Sequence, residues 1–553
     1  MDLLRTKADL AQVHGASEGE MVGAREAQEQ LRICVSFSGG ASLGAYEAGA
    51  FAALLTGVRR LQRDRPGAVV VDAVGGASAG SLVALLGAYA QLEGLDPLDF
   101  LYEGWVERVN LDLMKRKAGE GLLSFDRLRE DIIDFLHTND RYSDRGQSSP
   151  LGLHVALTGL QGLTYEVRSR GGTTSFSAVT YSDWGRFMLK PGGGPRQILE
   201  SEGTAPLDCV LASASHPGAF RPTLLDRSAD KSVYDSLGID NFPSSEQLWY
   251  TDGGLGQSNP LGRLLSTARW IDEQTGDKGP YKRTLVLIDP RSEDPSGALS
   301  WGDPENSPKW LHGLSRALEI VPAQVVYDDA LRLEKANARL AWAQALTESL
   351  APQLSDAATT ALRNFLHEVD ADKAGSPKQR VHTSSAGAEA ASARELLIKA
   401  VEAVSGLGAK EIVDLNVITP RQLAGDDEEE VPRLLAGEFF GDFGGFLQRD
   451  IRRSDFLLGY ASIEAWLPEG LADSGYDPDA LELMSAEVTA RSPGEWREAN
   501  MGAASPSSLP WLARLRLGRL LVDAARAVAA NVVDLTEMRE KLGERAPLLR
   551  SRR

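Results

Sequence analysis

The segment Val69–Leu92, VVVDAVGGASAGSLVALLGAYAQL, constrains the fold more than any other. Val69–Val74 is short, apolar and β-branched, the pattern of a buried strand. Gly76-Ala77-Ser78-Ala79-Gly80, a G-x-S-x-G, follows, and then an apolar run of helix formers, Ser81–Leu92. Strand, sharp turn and helix in that order predict a nucleophile elbow. Such a turn strains the backbone at Ser78, pushes its hydroxyl outward and tolerates only small neighbours. The helix after it points free N–H groups at the hydroxyl, where they favour developing negative charge. Taken alone, the stretch also reads as a Gly/Ala-rich turn with an idle serine.

A second turn of this kind lies upstream. Arg32–Phe37 reads as the first buried strand, and a helix begins near Ala45, with Phe51, Leu54, Leu55 and Val58 on one apolar face. Between them, Ser38–Gly44 is a Gly-rich loop that gathers backbone N–H groups at one point, as a phosphate or oxyanion cradle does. A nucleotide-binding P-loop would end in Gly-Lys-Ser/Thr, whereas Leu43-Gly44-Ala45 stands there, and the dinucleotide spacing G-x-G-x-x-G is also absent. An oxyanion hole and a purely structural turn remain.

Further strands are expected at Leu153–Leu157 and Thr284–Ile288, with edge strands at Tyr165–Ser169 and Thr174–Ser177. Cys209–Ser215 leads into the loop at His216, Leu248–Thr251 enters Asp252-Gly253-Gly254, and Thr223–Glu246 reads as a polar surface excursion. Strands alternating with helices predict an α/β fold, a mostly parallel sheet covered by helices, whose ligands bind beyond the carboxyl ends of the strands. Ser38–Gly44, Ser78 and Asp252 each follow a strand and can converge on one sheet edge. The organisation expected is a polar segment at 1–30, a catalytic unit at 31–300 and a mainly helical region at 301–553. That last region holds a mobile loop near 372–392, a strand at 411–419 that rejoins the sheet, and a solvated acidic turn at Asp426–Glu430.

The net charge of −19 over 553 residues argues against a nucleic-acid partner and against general attraction to anionic membrane. The two cysteines, Cys34 and Cys209, sit beside apolar, strand-like residues and read as reduced core thiols. The N-terminal stretch lacks the apolar centre of a signal peptide. No apolar run reaches the ~18–20 residues that span a bilayer. A cytoplasmic location follows, with membranes reached only from their surface. Leu509–Arg553, with Trp511 and many arginines, reads either as an interfacial helix or as a packed helix with a basic fringe. Trp301 and Trp310 are either lipid contacts or buried rim residues.

Four blocks occur in a consistent order: SGGASLGAYEAG at Ser38–Gly49, VDAVGGASAG at Val71–Gly80, ASASHPGAF at Ala212–Phe220 and DGGLGQSNP at Asp252–Pro260. Through them the chain resembles the patatin-like phospholipase family over roughly residues 31–290. GLLSFDRLREDII and FGGFLQRDIRRSDFLLG at Phe443–Gly459 are similar to a family helix and to a C-terminal feature of larger bacterial members. The resemblance implies a three-layer α/β fold with a central mostly parallel sheet and an added helical C-terminal region. It implies lipid acyl-ester hydrolysis by a Ser-Asp dyad, with Ser78 as nucleophile and Asp252 as base. Gly39, Gly40 and Ala41 match the oxyanion loop, Gly76 and Gly80 the elbow glycines, and Asp72 an acidic residue of structural role. The family pattern usually has a third glycine at position 41 and Arg or Lys at 43. Ala41 keeps an N–H, but Leu43 removes a charge that would meet a phosphate.

The chemistry itself requires an activated hydroxyl, a base within about 2.6–3.2 Å and donors for the tetrahedral oxyanion. A Ser-His-Asp triad through His216 or His154 is the rival arrangement. No metal or organic cofactor is implied. The expected partner is a lipid or phospholipid, with peripheral membrane contact. Acyl transfer on the same dyad and a catalytically weak lipid- or partner-binding protein are the alternatives.

Overall fold

The computed structural model describes residues 30–522 apart from 115–121, 169–174, 278–280, 292–330, 374–391, 406–411, 425–433, 440–441, 472–475 and some single positions. The segment 1–29, the mobile loop expected near 372–392, the acidic turn, Trp301, Trp310 and most of Leu509–Arg553 thus lie outside the described residues.

Strand β1 (Gln30–Phe37) enters helix α1 (Gly44–Asp64), and β2 (Val69–Gly76) enters α2 (Ala79–Glu93). Helix α3 (Asp126–Thr138) precedes a long hairpin, β3 (Leu151–Arg168) and β4 (Ser175–Leu189). Helix α4 (Pro206–Ser213), β5 (Thr223–Asp226), β6 (Gln247–Thr251), α5 (Leu261–Thr275) and β7 (Tyr281–Ile288) follow. Beyond these come helices α6 (Asp356–Lys373) and α7 (Ala393–Ser405), β8 (Asp414–Ile418), α8 (Arg449–Gly470) and α9 (Pro478–Ala490).

Among the described residues, eight strands form one sheet in the order β5-β6-β3-β2-β1-β7-β8, with β4 also on β3. β3, β2, β1, β7 and β8 run parallel, whereas β4, β5 and β6 make an antiparallel flank. The fold is therefore the α/β architecture read from the sequence, and the strand expected at 411–419 is β8, parallel to β7. Strand alternation divides the core. Ile33, Val35 and Phe37 join the large cluster that includes α1 and α2, while Cys34 and Ala73 face Leu261, Leu264 and Ala268 of α5.

Some expectations need correction. Tyr165–Ser169 and Thr174–Ser177 are not separate edge strands; their described parts are the far ends of the β3–β4 hairpin. Its second strand, SFSAVTYSDWGRFML, is too polar to show an apolar run, because much of it is not covered by other elements. Cys209 is buried and free as expected, but it lies in a helix opened by Pro206, where the missing N–H costs nothing. The excursion 223–246 contains β5 and a short helix, Lys231–Leu237. Among the described residues, one helical segment, Ala41–Asp64, is long and apolar enough to cross a membrane by length and composition, although 94% of that window is buried inside the protein.

The C-terminal helices are what covers it. α8 and α9 pack on α1. A Cβ on Gly49 would overlap the carbonyl oxygen of Phe456, and one on Gly459 would overlap that of Tyr46. The two helix backbones therefore touch where they cross. Within α8, the buried Arg452 donates to the Val106 and Gly445 carbonyls at 2.8–2.9 Å. Asp455 accepts from Ala436 N and Gly437 N at 2.7 and 3.0 Å, and burial pushes its carboxyl up to about 7. These two side chains tie the segment before α8 to that helix and to Val106.

Candidate active site

Ser78 sits at the turn from β2 to α2 with φ 51° and ψ −129°, a sparsely populated conformation for a residue with a Cβ. The turn exists because nothing intrudes. A Cβ on Gly80 would lie 2.6 Å from Phe37 Cβ, and one on Gly76 2.7 Å from the Phe37 carbonyl oxygen. The Ser78 N–H donates to Ser213 Oγ at 3.0 Å, so α4 fixes the elbow from the other side.

The Ser78 hydroxyl donates to Asp252 Oδ2 at 2.7 Å. Topology explains a contact across 174 residues. β2 leaves the edge of β3 after Gly76, which pairs with Val155. β6 takes up the same edge, opposite β4, at Thr158 and Gly159. The residue that follows β6 therefore arrives over the carboxyl end of β2. There the carboxylate is held firmly. Gly254 N donates to Oδ1 at 2.8 Å, and Asp252 N donates to the Ser215 carbonyl at 3.1 Å. Asp252 is 5% exposed, and burial holds its carboxyl above the usual carboxylate range, with the Ser78 and Gly254 bonds opposing.

The Gly-rich loop after β1 is arranged differently from expectation. Gly39 N donates to Glu47 Oε1 at 2.7 Å, so this N–H is taken by the first turn of α1. Glu47 is fully buried, and burial pushes its carboxyl up to about 8 against the opposing Gly39 bond. Gly40 and Ala41, by contrast, line the cavity in front of Ser78. Ala41 holds φ 48°, the left-handed region in which a glycine would be unstrained. Ser42 clamps the loop to the C-terminal segment. Its N–H donates to the Asp442 carbonyl at 2.8 Å, and its hydroxyl accepts from Gly445 N at 2.9 Å.

The cavity encloses about 360 Å³ and reaches Ser78 and Asp252 at its base. Trp105, Met114, Leu128, Phe220, Phe443 and Phe446 make its walls apolar. Leu43 is buried, so position 43 presents no charge, but Arg291, just past β7, lines the cavity together with Asp442. Burial pushes Asp442 up to about 6 while Arg291 pulls it down. His216 is an exposed rim residue whose ring meets Phe443 edge-on at 5.9 Å. His154 is buried inside β3 and does not line the cavity; burial lowers it to about 3, which keeps it neutral. Asp72 lies apart from the cavity, between Arg32 and Arg283.

Sequence reasoning missed Glu47, Ser213, Arg291 and Asp442. Arg291 carried a usable signal, since it too follows a parallel strand. Asp442 and the two phenylalanines reach the site through folding of a segment some 400 residues from Ser42, and Glu47 looks like any polar residue in the first turn of a helix.

Comparison with known proteins agrees with this architecture. Residues 35–184 match the family model described as patatin-like phospholipase. No curated protein matches the chain. The solved structure of VipD from Legionella pneumophila aligns with 12% identity over 89% of this chain and 88% of that one, but its TM-score of 0.21 is too low to bear on fold or function. Residues 35–184, which hold the Gly-rich loop and the Ser78 elbow, thus carry a patatin-like phospholipase domain, a match that supports lipid hydrolysis in general.

Proposed function

We propose that the protein hydrolyses carboxyl esters of phospholipids or other glycerolipids through an acyl-enzyme on Ser78, with Asp252 as the base. The 2.7 Å hydrogen bond between the two side chains, at the base of an apolar cavity, carries this reading. Ser78 Oγ attacks the ester carbonyl carbon and its proton passes to Asp252 Oδ2. The N–H groups of Gly40 and Ala41, which line the cavity with Ser78, are the candidates to hold the oxyanion, and the N-terminus of α2, which starts just after Ser78, favours negative charge there. As the C–O bond breaks, Asp252 returns the proton to the leaving alcohol. Water, deprotonated by the same carboxylate, then attacks the acyl-serine; as the acyl C–Oγ bond breaks, Asp252 returns the proton to Ser78 Oγ and the fatty acid leaves. The raised proton affinity of Asp252 suits a group that must accept and return a proton. An alcohol in place of water would turn the same sequence into acyl transfer.

One observation favours a weaker catalyst that chiefly binds lipid: Gly39 N–H is already engaged by Glu47. Loss of one oxyanion donor typically lowers rate by about 10²–10³. A fluorophosphonate probe, followed by hydrolysis of a lipid panel by wild type and Ser78→Ala, separates the readings. An adduct on Ser78 with lipid turnover supports the hydrolase. A folded protein that forms no adduct supports the binding role.

A further inference from the structure

In a glycerolipid the headgroup lies only a few bonds from the ester, so a headgroup site has to open on the same cavity as Ser78. That cavity is mostly apolar, yet it carries two opposite charges that the proposed chemistry does not use. Among the described residues, Arg291 is the only lysine or arginine lining it, and Asp442 the only carboxylate besides Asp252. Both are fastened to the Gly-rich loop. Asp289 accepts from Ser38 Oγ at 2.9 Å and from Arg291 N at 3.0 Å, which pins the Arg291 backbone beside the start of that loop. The Asp442 carbonyl accepts from Ser42 N at 2.8 Å, and a Cβ on Gly40 would lie 3.7 Å from Asp442 Oδ2. Asp442 also holds φ 68°, a strained backbone for a residue with a Cβ, of the kind that gathers at functional sites. Among the described residues, neither the guanidinium nor this carboxylate makes a hydrogen bond or an ion pair. Burial works against both charges, and each offsets part of that for the other only from a distance.

We propose that Arg291 and Asp442 bind the headgroup of a zwitterionic phospholipid, the phosphate at Arg291 and the ammonium at Asp442, while its ester lies at Ser78. This inference rests on the lipid-hydrolase reading of that site. A guanidinium matches phosphate oxygens with paired N–H donors. A carboxylate beside a candidate oxyanion donor works against the reaction, because it repels the negative charge that forms there. A substrate that brings its own cation removes that penalty. Phe443, next to Asp442, and Phe446 both line the cavity and meet edge-on at 5.6 Å, and aromatic faces attract alkylammonium groups. A neutral diacylglycerol would leave both charges unpaired, and an anionic headgroup would leave Asp442 so. The cation absent at the buried Leu43 is thereby supplied from the end of another strand, β7.

The test measures kcat/KM of the full chain on three short-chain esters: dihexanoyl phosphatidylcholine, dihexanoyl phosphatidylglycerol and dihexanoyl glycerol. Wild type is expected to prefer phosphatidylcholine. In Arg291→Gln the ratio of phosphatidylcholine to dihexanoyl glycerol is expected to fall about tenfold, the effect of one charged hydrogen bond. In Asp442→Asn, a change that a left-handed backbone tolerates, the ratio of phosphatidylcholine to phosphatidylglycerol is expected to fall about tenfold. Each ratio is taken within one preparation, so loss of folded protein cancels. A ratio that stays put in either variant overturns the two-charge site, as does a wild type that prefers another of the three esters. Should wild type hydrolyse none of them, the catalytic reading fails separately, and the site is read by binding. Calorimetric titration of Ser78→Ala with the diether analogue of dihexanoyl phosphatidylcholine is then expected to show a Kd about tenfold higher when Arg291→Gln or Asp442→Asn is added. An equal Kd, or no binding by Ser78→Ala itself, overturns the proposal.

Discussion

Carboxylates are buried in two parts of the parallel sheet, and their surroundings differ. Toward the amino-terminal half of the strands, Asp72 lies between Arg32 and Arg283 with bonds of 2.9 and 2.8 Å, and Asp272 accepts from both arginines. At the carboxyl ends, Asp252 accepts from a serine hydroxyl and a backbone N–H, and Glu47 from the Gly39 backbone N–H. Burial raises proton affinity in both places, Asp72 to about 6 and Asp252 above the usual carboxylate range. At Asp72 the chief opposition is the charge of two arginines, which ties neighbouring strands together, whereas at Asp252 it is the bonds from a serine hydroxyl and a backbone N–H. Under the proposed mechanism only the second carboxylate touches a hydroxyl whose proton it can take.

Removing the chemistry at the carboxyl ends should have the largest effect. Ser78→Ala and Asp252→Asn are each expected to lower lipid hydrolysis by about 10⁴-fold or more, with unchanged circular dichroism, while His216→Ala keeps most of the activity. An inactive but folded His216→Ala protein would break the assignment of Asp252 as base. In wild type, the acid limb of kcat/KM should have its midpoint above the ordinary aspartate range, since Asp252 must be ionised to accept the serine proton.

The paired end should respond in stability instead. Asp72→Ala strips one carboxylate from two buried arginines that then share Asp272, and is expected to cost about 3 kcal/mol in denaturant unfolding. Any folded fraction should keep its activity per active site.

Glu47 sharpens the contrast through pH. Its proton affinity rises from 4.5 in the free group to about 8 in the fold. Between those values the unfolded chain binds fewer protons than the native one, so this group's contribution to stability declines as pH rises through that window. Glu47→Gln keeps an oxygen for Gly39 N–H and removes the charge. It is expected to melt above wild type at alkaline pH, with the difference shrinking toward the lower limit of the window. A constant difference across pH would show that Glu47 is not protonated in the native state. The smallest effect belongs to Ala41→Gly, which relieves a left-handed alanine and is expected to stabilise by no more than about 1 kcal/mol, offset by the looser unfolded chain.

Much of the α/β fold was legible in the sequence because its signals are short-range. β2, Ser78 and α2 are contiguous, and apolar β-branched runs bounded by small residues mark buried strands whatever surrounds them. The β3–β4 hairpin was only partly legible, because a strand open on one face carries Ser, Thr and Asp and loses the apolar signature. Gly39 illustrates the same limit within the site. Its place in the loop could be read, but the direction of its N–H depends on Glu47, one helical turn into α1.

Local residue order thus determined the elbow at Ser78, the Gly-rich loop at Gly39–Ala41, and the position of Asp252 at the end of a strand. Tertiary structure alone decided that β6 follows β2 along the edge of β3 and brings the carboxylate to the hydroxyl. It also placed Arg291, Asp442, Phe443 and Phe446 around them. The physical reason is that propensity and capping act over a few residues, whereas a cavity wall is set by which distant surfaces bury each other, as Gly49 and Gly459 do where α1 crosses α8.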